Sequence, residues 1–185
     1  MTTRTSRLLI VDDNELNRDM LARRLKRKGY EVVLANGASE LMQRLQEVTV
    51  DIVLLDIEMP EISGLEALKM LRETYSQIEL PVIMVTAKNQ SEDIVKALDL
   101  GANDYVTKPI DFAVTLARIG TQLSHKRAQE ALRESEERLC AGRARIERRA
   151  LGLEPASQLG LFLAALEGNA GVRGNRNWRQ TRRVV

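Results

Sequence analysis

Residues 8–14 read LLIVDDN, an apolar run of strand length that leads directly into two carboxylates and an asparagine. A second apolar run, IVLL at residues 52–55, leads in the same way into Asp56. Continuous apolar runs are typical of parallel strands that are covered on both faces. Ligands of open α/β sheets bind outside the carboxyl ends of the strands, so we expect Asp12, Asp13 and Asp56 to meet there.

Three carboxylates that meet in this way repel one another. At roughly 4 Å and an effective dielectric constant near 20, each like-charged pair costs about 4 kcal/mol. Magnesium suits such a site, because it takes oxygen ligands and keeps waters that a phosphate oxygen can replace. Two further strand ends supply the Thr86 hydroxyl, which can donate to an incoming oxygen, and the positive charge of Lys108. These are the parts that phosphoryl transfer to an aspartate needs.

Each feature has a simpler interpretation when it is taken alone. The acidic pair before Asn14 could cap a helix, Asp56 could be a turn residue, and Lys108 with Pro109 could form an ordinary loop. A nicotinamide or flavin site in the same fold lacks support, because acids rather than a glycine-rich loop follow the first strand, and acids repel a pyrophosphate. The order of the features at successive strand ends favours phosphoryl transfer.

Four motifs resemble those of the response-regulator receiver family throughout residues 6–124. They are VDDN at 11–14, LLDIEMP at 54–60 with Gly64, VTA at 85–87 and YVTKP at 105–109. The resemblance implies a flavodoxin-like phosphoprotein of a two-component phosphorelay, phosphorylated on Asp56 by a histidine kinase or a phosphotransfer protein. Its own catalysis would be limited to self-phosphorylation and self-dephosphorylation, so it would not be an enzyme in the ordinary sense.

The resemblance also implies a ligand set for the metal ion. Asp13 and Asp56 would bind Mg²⁺ directly, and Asp12 would bind it through water. The backbone carbonyl of Glu58 would complete the protein ligands.

The remaining site residues have implied roles in holding and reporting the phosphate. Thr86 and Lys108 would hold the phosphoryl oxygens, and Tyr105 matches the aromatic residue that rotates together with the switch threonine. Glu58 and Lys88 resemble positions that flank the path of the attacking water, where an ion pair would lengthen the lifetime of the phosphate.

The fold class expected from the patterns is α/β, with five strand–helix repeats. Right-handed crossovers favour a doubly wound parallel sheet of order 2-1-3-4-5, with two helices on one face and three on the other. The first helix is predicted at about residues 14–28, with Leu16, Met20, Leu21 and Leu25 on its inner face.

The fifth helix is predicted to extend beyond the sheet, from Asp111 through Leu139, because this stretch contains no proline. We therefore expect a receiver domain at 1–124, a helical linker at 125–140 and an arginine-rich tail at 141–185 that is not an independent domain. Small and apolar residues at 4-3-4 spacing in the linker fit either a short coiled-coil seam or a solvated connector. We also expect a homodimer through helix four, strand five and helix five.

The linker suggests an alternative function. QEALRESEER at 129–138 resembles the linker that precedes PAS domains in regulators with cyclic-di-GMP output. The chain could therefore be a fragment of a multidomain PAS/diguanylate cyclase-type regulator that lacks its output domain. A third class of function is a stand-alone interaction module that works without phosphate.

The tail differs in composition from the rest of the chain. It has nine arginines, no lysine and three acids, a net charge of +6, whereas residues 1–140 have a net charge of −4. Back-translated from Leu139 and shifted by one base, the tail can encode a sequence that resembles the start of a PAS domain. This suggests a frameshifted PAS start, in which residues from about 140 onward would be disordered or only incidentally helical.

The composition indicates a cytoplasmic protein without membrane contact. No apolar stretch approaches twenty residues, and the chain enters its first strand without a signal-peptide core. An arginine-rich tail can bind nucleic acid, but no aromatic interleaving or known DNA-binding motif accompanies it. We therefore do not expect nucleic acid as a partner.

Overall fold

A computed structural model describes residues 5–87 and 91–150, with the backbone alone described for Ser91 and residues 141–150. Strands and helices alternate along the chain. They are β1 Arg7–Val11, α1 Glu15–Arg27, β2 Glu31–Ala35, α2 Ala38–Glu47, β3 Ile52–Asp56, α3 Gly64–Thr74, β4 Val82–Ala87, α4 Ser91–Asp99, β5 Asp104–Lys108 and α5 Phe112–Ala150. The strands pair in parallel in the order β2-β1-β3-β4-β5, which confirms the predicted sheet.

Helices cover both faces of the sheet and create two apolar layers. Alternate strand residues point to opposite faces. Leu8 and Ile10 of β1 pack in the layer with α1 and α5, whereas Leu9 and Val11 pack in the layer with α2, α3 and α4. This arrangement confirms the predicted division into two helices and three. β3 is buried along its whole length, which explains why its sequence is apolar without alternation.

Side-chain caps define the N-termini of α1 and α3, the helices that follow the strands ending at the carboxylates. The Asn14 side chain accepts hydrogen bonds from the backbone N–H groups of Leu16 and Asn17, and so caps α1. Ser63 and Glu66 form a capping box at the start of α3. Each cap lies in the loop that follows β1 or β3, so each helix begins close to the carboxylates of that loop.

The predicted inner face of α1 is wrong in part. Leu21 and Leu25 are buried, but Leu16 is 81% exposed and Met20 is 48% exposed. Residues four apart share a side of a helix, whereas consecutive residues are about 100° apart. Leu16 and Met20 therefore form a separate apolar stripe on the solvent side of α1, which we call the α1 stripe.

Helix α5 begins after Asp111, whose carboxylate accepts two backbone hydrogen bonds from the first turn, as predicted. The helix is unbroken through Ala150. Packing continues past residue 124, because Arg127 donates to Ser6 Oγ at 2.8 Å, and the first compact unit ends at Glu134. The proposed domain limits stay a prediction, and the frameshift interpretation rests mainly on residues 151–185, outside the described residues.

No helix within residues 5–87 and 91–150 has both the length and the apolar character needed to cross a membrane.

Candidate functional site

The carboxyl ends of β1 and β3 bring three carboxylates together. Asp12, Asp13 and Asp56 each offer an oxygen atom that lies within 4.8 Å of the others. Parallel pairing aligns Val11 with Leu55, so the residues that follow in each strand are adjacent. Asp12 and Asp56 are buried, whereas Asp13 is exposed. The convergence expected from the strand ends is therefore present in the structure.

One lysine faces this cluster from the end of β5. Lys108 Nζ lies 2.6 Å from Asp56 Oδ2 and 3.4 Å from Asp12 Oδ2. Burial raises the pKa of Asp56, and the hydrogen bond from Lys108 only partly opposes this effect. Burial also acts to lower the pKa of Lys108, but Asp56 and Asp12 outweigh it, so that pKa is raised. The raised pKa of Asp56 therefore reflects its burial, whereas the raised pKa of Lys108 reflects its two carboxylate neighbours.

The loop after Asp56 is held close to the strand by a backbone contact that only glycine permits. A Cβ atom on Gly64 would lie 2.0 Å from the Asp56 carbonyl oxygen. The Gly64 N–H donates to the Ile57 carbonyl at 2.9 Å, and the backbone N–H of Glu58 donates to the Asp56 carboxylate. The phosphoacceptor candidate is thus fixed by the first residues of the β3–α3 connection.

The predicted switch residues lie on β4 and β5. Thr86 is fully buried and directly follows Val85, which is aligned with Asp56 in the sheet. Tyr105 is partly buried on β5 and packs against the core layer formed with α2, α3 and α4. Glu58 is exposed beside the site, whereas Lys88 lies outside the described residues.

Two arginine contacts at or near the site were not predicted. Arg18 Nη1 donates to the backbone carbonyl of Asp12 at 2.7 Å and lies 3.4 Å from that of Asp13. Arg118 of α5 pairs with Asp104, and its guanidinium carbon lies 5.2 Å from the centre of the Tyr105 ring. The sequence shows arginines at these positions but gives no sign that distinguishes them from other surface arginines.

The donor set fits a hard divalent cation. It consists of carboxylate oxygens on three separate side chains, two of them buried. Within the described part of the chain, Lys108 is the lysine that pairs with them, which leaves an excess of negative charge. Carboxylate oxygens are the ligands that Mg²⁺ prefers, and the exposed side of Asp13 leaves room for waters or phosphate oxygens.

The family model of the response regulator receiver domain matches residues 8–120, well over half of the chain. The chain belongs to the response-regulator receiver family. Receiver domains are signalling modules of two-component systems and interact with histidine kinases or phosphotransfer proteins. They are generally not catalysts for a separate substrate.

Individual relatives agree with this assignment. The chain is 43% identical over 116 residues to the uncharacterized transcriptional regulatory protein YkoG of Bacillus subtilis, and 38% identical over 114 residues to the CAI-1 autoinducer sensor kinase/phosphatase CqsS of Vibrio cholerae. These matches cover 63% and 61% of this chain. The chain spans only 50% of the first relative and 17% of the second.

Solved structures show the same fold. A CheY-like response regulator receiver domain protein from Methanospirillum hungatei superposes with a TM-score of 0.63 at 29% identity, covering 68% of this chain and 99% of that one. A probable two-component response regulator/GGDEF domain protein superposes with a TM-score of 0.64 at 28% identity, covering 66% of this chain and 50% of that one.

Proposed function

We propose that Asp56 accepts a phosphoryl group and that this modification switches the protein. The observation that carries the proposal is the environment of the Asp56 side chain. This side chain is 2% exposed, accepts a hydrogen bond from Lys108 at 2.6 Å and lies close to the carboxylates of Asp12 and Asp13. A carboxylate oxygen of Asp56 would attack the phosphorus of a phosphohistidine. The N–P bond would break, its electron pair would stay on the imidazole, and Asp56 would carry an acyl phosphate.

The other strand ends would hold the group that is transferred. Lys108 would pair with one phosphoryl oxygen, since it already lies within hydrogen-bonding distance of the nucleophile. Mg²⁺ bound by Asp13, Asp56 and the Glu58 carbonyl, and by Asp12 through water, would neutralise these carboxylates and align the phosphoryl oxygens.

Hydrolysis of the acyl phosphate would return the protein to its starting state. A water molecule would attack the phosphorus, releasing inorganic phosphate and restoring the Asp56 carboxylate. We propose that Glu58 and Lys88 flank the path of this water. An exposed ion pair between them would stabilise the fold by less than about 1 kcal/mol, but it would still obstruct in-line attack.

The phosphodonor would be a histidine kinase or a phosphotransfer protein that docks beside the acidic cluster. Leu16 and Met20, the α1 stripe, lie on the helix that begins directly after the acidic pair, and both are solvent-exposed. A donor has to cover this end of the sheet to bring its histidine to Asp56. Burial of these two side chains would contribute to that contact.

The output would be a change in the surface formed by α4, β5 and α5. Phosphate on Asp56 would draw the Thr86 hydroxyl toward it, and Tyr105 would follow, away from Arg118. This surface carries exposed apolar side chains, which a second copy of the chain would cover: Val95, Leu98, Leu100 and Val114. Sedimentation with and without beryllofluoride tests the coupling, and an unchanged monomer–dimer balance would argue against it.

A second proposal concerns the larger protein to which this receiver would belong. This chain is similar, over 66% of its length, to half of a protein described as a probable two-component system response regulator/GGDEF domain protein, and residues 129–138 resemble a linker of such regulators. The receiver would then act as the input module of a PAS/diguanylate cyclase-type regulator. The genomic sequence downstream of the coding region tests this directly.

The central experiment is phosphorylation of the purified chain by acetyl phosphate. Wild-type protein should gain one phosphoryl group when Mg²⁺ is present and none after chelation, as measured by intact mass. Asp56→Asn keeps the shape of the side chain but should not be labelled, whereas Asp19→Asn, at a half-buried position on α1 away from the acidic cluster, should be labelled normally. Undiminished labelling of Asp56→Asn would falsify the assignment, and a wild-type chain that is never labelled would favour a phosphate-independent interaction module.

A further inference from the structure

We propose that Arg18 is a positioning residue for the cation site, an inference that rests on the proposed function of the acidic cluster. Its guanidinium donates to the Asp12 carbonyl at 2.7 Å and lies 3.4 Å from the Asp13 carbonyl. Both acceptors are backbone oxygens of the loop that carries two of the three carboxylates. Arg18 therefore binds the backbone of the loop and leaves the carboxylate oxygens available to a cation.

The two acids of this loop are held very differently. Asp12 Oδ1 accepts the Asn14 N–H at 2.8 Å, and Asp12 Oδ2 lies 3.4 Å from Lys108 Nζ. The Asp13 side chain is exposed and forms no ion pair among the described residues. The contact of Arg18 with the main chain thus restrains the part of the loop on which the position of the Asp13 carboxylate depends.

Two effects of Arg18 on cation binding have opposite signs. Its positive charge repels a divalent cation, whereas its hydrogen bonds hold the ligands in place. Part of the charge is offset by α2, because Arg18 contributes, after the Asn36 N–H and Arg44, to lowering the pKa of Glu40. Loss of a group that orients metal ligands through hydrogen bonds, without binding the metal itself, typically lowers metal affinity by about 10–100-fold. The orienting effect should therefore exceed the repulsion.

Arginine suits this role because its planar guanidinium carries five donors and can reach two acceptors in one loop. Arg18 lies one helical turn after Asn14, the cap of α1, and its backbone N–H donates to the Asn14 carbonyl at 3.1 Å. Arg23 lies on the same helix, but its side chain is 76% exposed and its only described ion pair is a 3.9 Å contact with Asp19. It provides a matched control for the charge alone.

The test is a Mg²⁺ titration of the full chain followed by ¹H–¹⁵N NMR, which reports the affinity and the fold in the same spectra. We expect Arg18→Met to bind Mg²⁺ about tenfold more weakly, Arg18→Lys to lie between this variant and the wild type, and Arg23→Met to match the wild type. Unfolding of each variant in chelator should show that the apo fold is retained.

The sign of the change decides the inference. Affinity of Arg18→Met equal to or higher than that of the wild type would overturn the positioning role and leave the metal site intact. If Arg18→Met does not fold, Arg18→Lys decides in its place. This variant keeps the positive charge but lacks the guanidinium, so a wild-type Mg²⁺ affinity would show that the charge of residue 18, and not the hydrogen bonds of its guanidinium, sets the affinity. Absence of Mg²⁺ binding in the wild-type chain would overturn this inference and the proposed metal site together.

Discussion

Asp13→Asn should stabilise the protein when no divalent cation is present. The Asp13 carboxylate lies within 4.8 Å of carboxylate oxygens of Asp12 and Asp56. Because Asp13 is exposed, its interactions are screened by water, and each like-charged pair at this distance costs about 0.9 kcal/mol. Lys108 offsets roughly one of the two neighbouring charges, so removal of the Asp13 charge should raise the free energy of unfolding by about 1 kcal/mol at low ionic strength.

The same substitution should lose its advantage when Mg²⁺ is added. A ligand that binds only the folded state stabilises it by RT ln(1 + [L]/Kd), or about 2.7 kcal/mol at a hundredfold excess over Kd. The wild type should gain this stabilisation, whereas the variant lacks one charged ligand and should gain much less. The order of stability between the two proteins should therefore reverse.

Urea unfolding followed by circular dichroism measures both effects. It should be run in chelator at low ionic strength, in chelator at 0.15 M salt, where screening should reduce the difference by about half, and with Mg²⁺. Asp19→Asn on the outer part of α1 is the control, because it removes a carboxylate that is paired with Arg23 at 3.9 Å and should bring no gain. A variant at Asp13 that is no more stable than the wild type in chelator at low salt would refute the electrostatic reasoning.

Three further predictions concern the loops and the tail. Gly64→Ala should lower the free energy of unfolding by about 3 kcal/mol in urea titrations, because its Cβ atom would meet the Asp56 carbonyl oxygen at 2.0 Å. The control is Gly120→Ala on α5, where a Cβ atom would meet nothing within 4 Å, and this variant should be as stable as the wild type or more stable. Combining Glu58→Ala with Lys88→Ala should shorten the phosphoryl half-life, and equal or slower hydrolysis would count against the lifetime proposal. A chain ending at Arg138 should keep its melting temperature and phosphorylation rate, and the coding DNA should contain the shifted PAS-like frame. Unfolding after truncation, or DNA incompatible with that frame, would end the frameshift proposal.

The acidic cluster was predictable because parallel strands have a simple geometry. Each apolar run ends in a polar or charged side chain, and all carboxyl ends of a parallel sheet lie at the same edge. Asp12, Asp56 and Lys108 therefore meet without any need to know how their side chains are oriented. The order of the strands followed from the handedness of the crossovers rather than from individual residues.

Contacts that depend on the orientation of one side chain or on close backbone approach were not predictable. Leu16 and Met20 fit a helical period, but they follow a different stripe of α1 from Leu21 and Leu25, and the spacing alone did not show which stripe meets the sheet. The glycine at position 64 was visible as part of a motif. Its contact with the Asp56 carbonyl oxygen required the path of the loop after β3.

The balance of charge at the sheet end is consistent with the proposed switch, because it stabilises the fold less than a neutral site would. Two of the three carboxylates pair with Lys108, and burial raises the pKa of Asp56, so the folded chain holds negative charge in an unfavourable environment. A bound cation would relieve this cost, and a phosphoryl group would then bring new negative oxygens to a place where Lys108 and the cation face them. In the proposed function, each of these steps would change the charge beside β4, where Thr86 is buried one residue after the partner of Asp56, and β4 pairs with β5 of the α4–β5–α5 surface. Replacement of the acids by neutral residues should therefore stabilise the fold, and the α4–β5–α5 surface should then no longer change when Mg²⁺ or a phosphodonor is added.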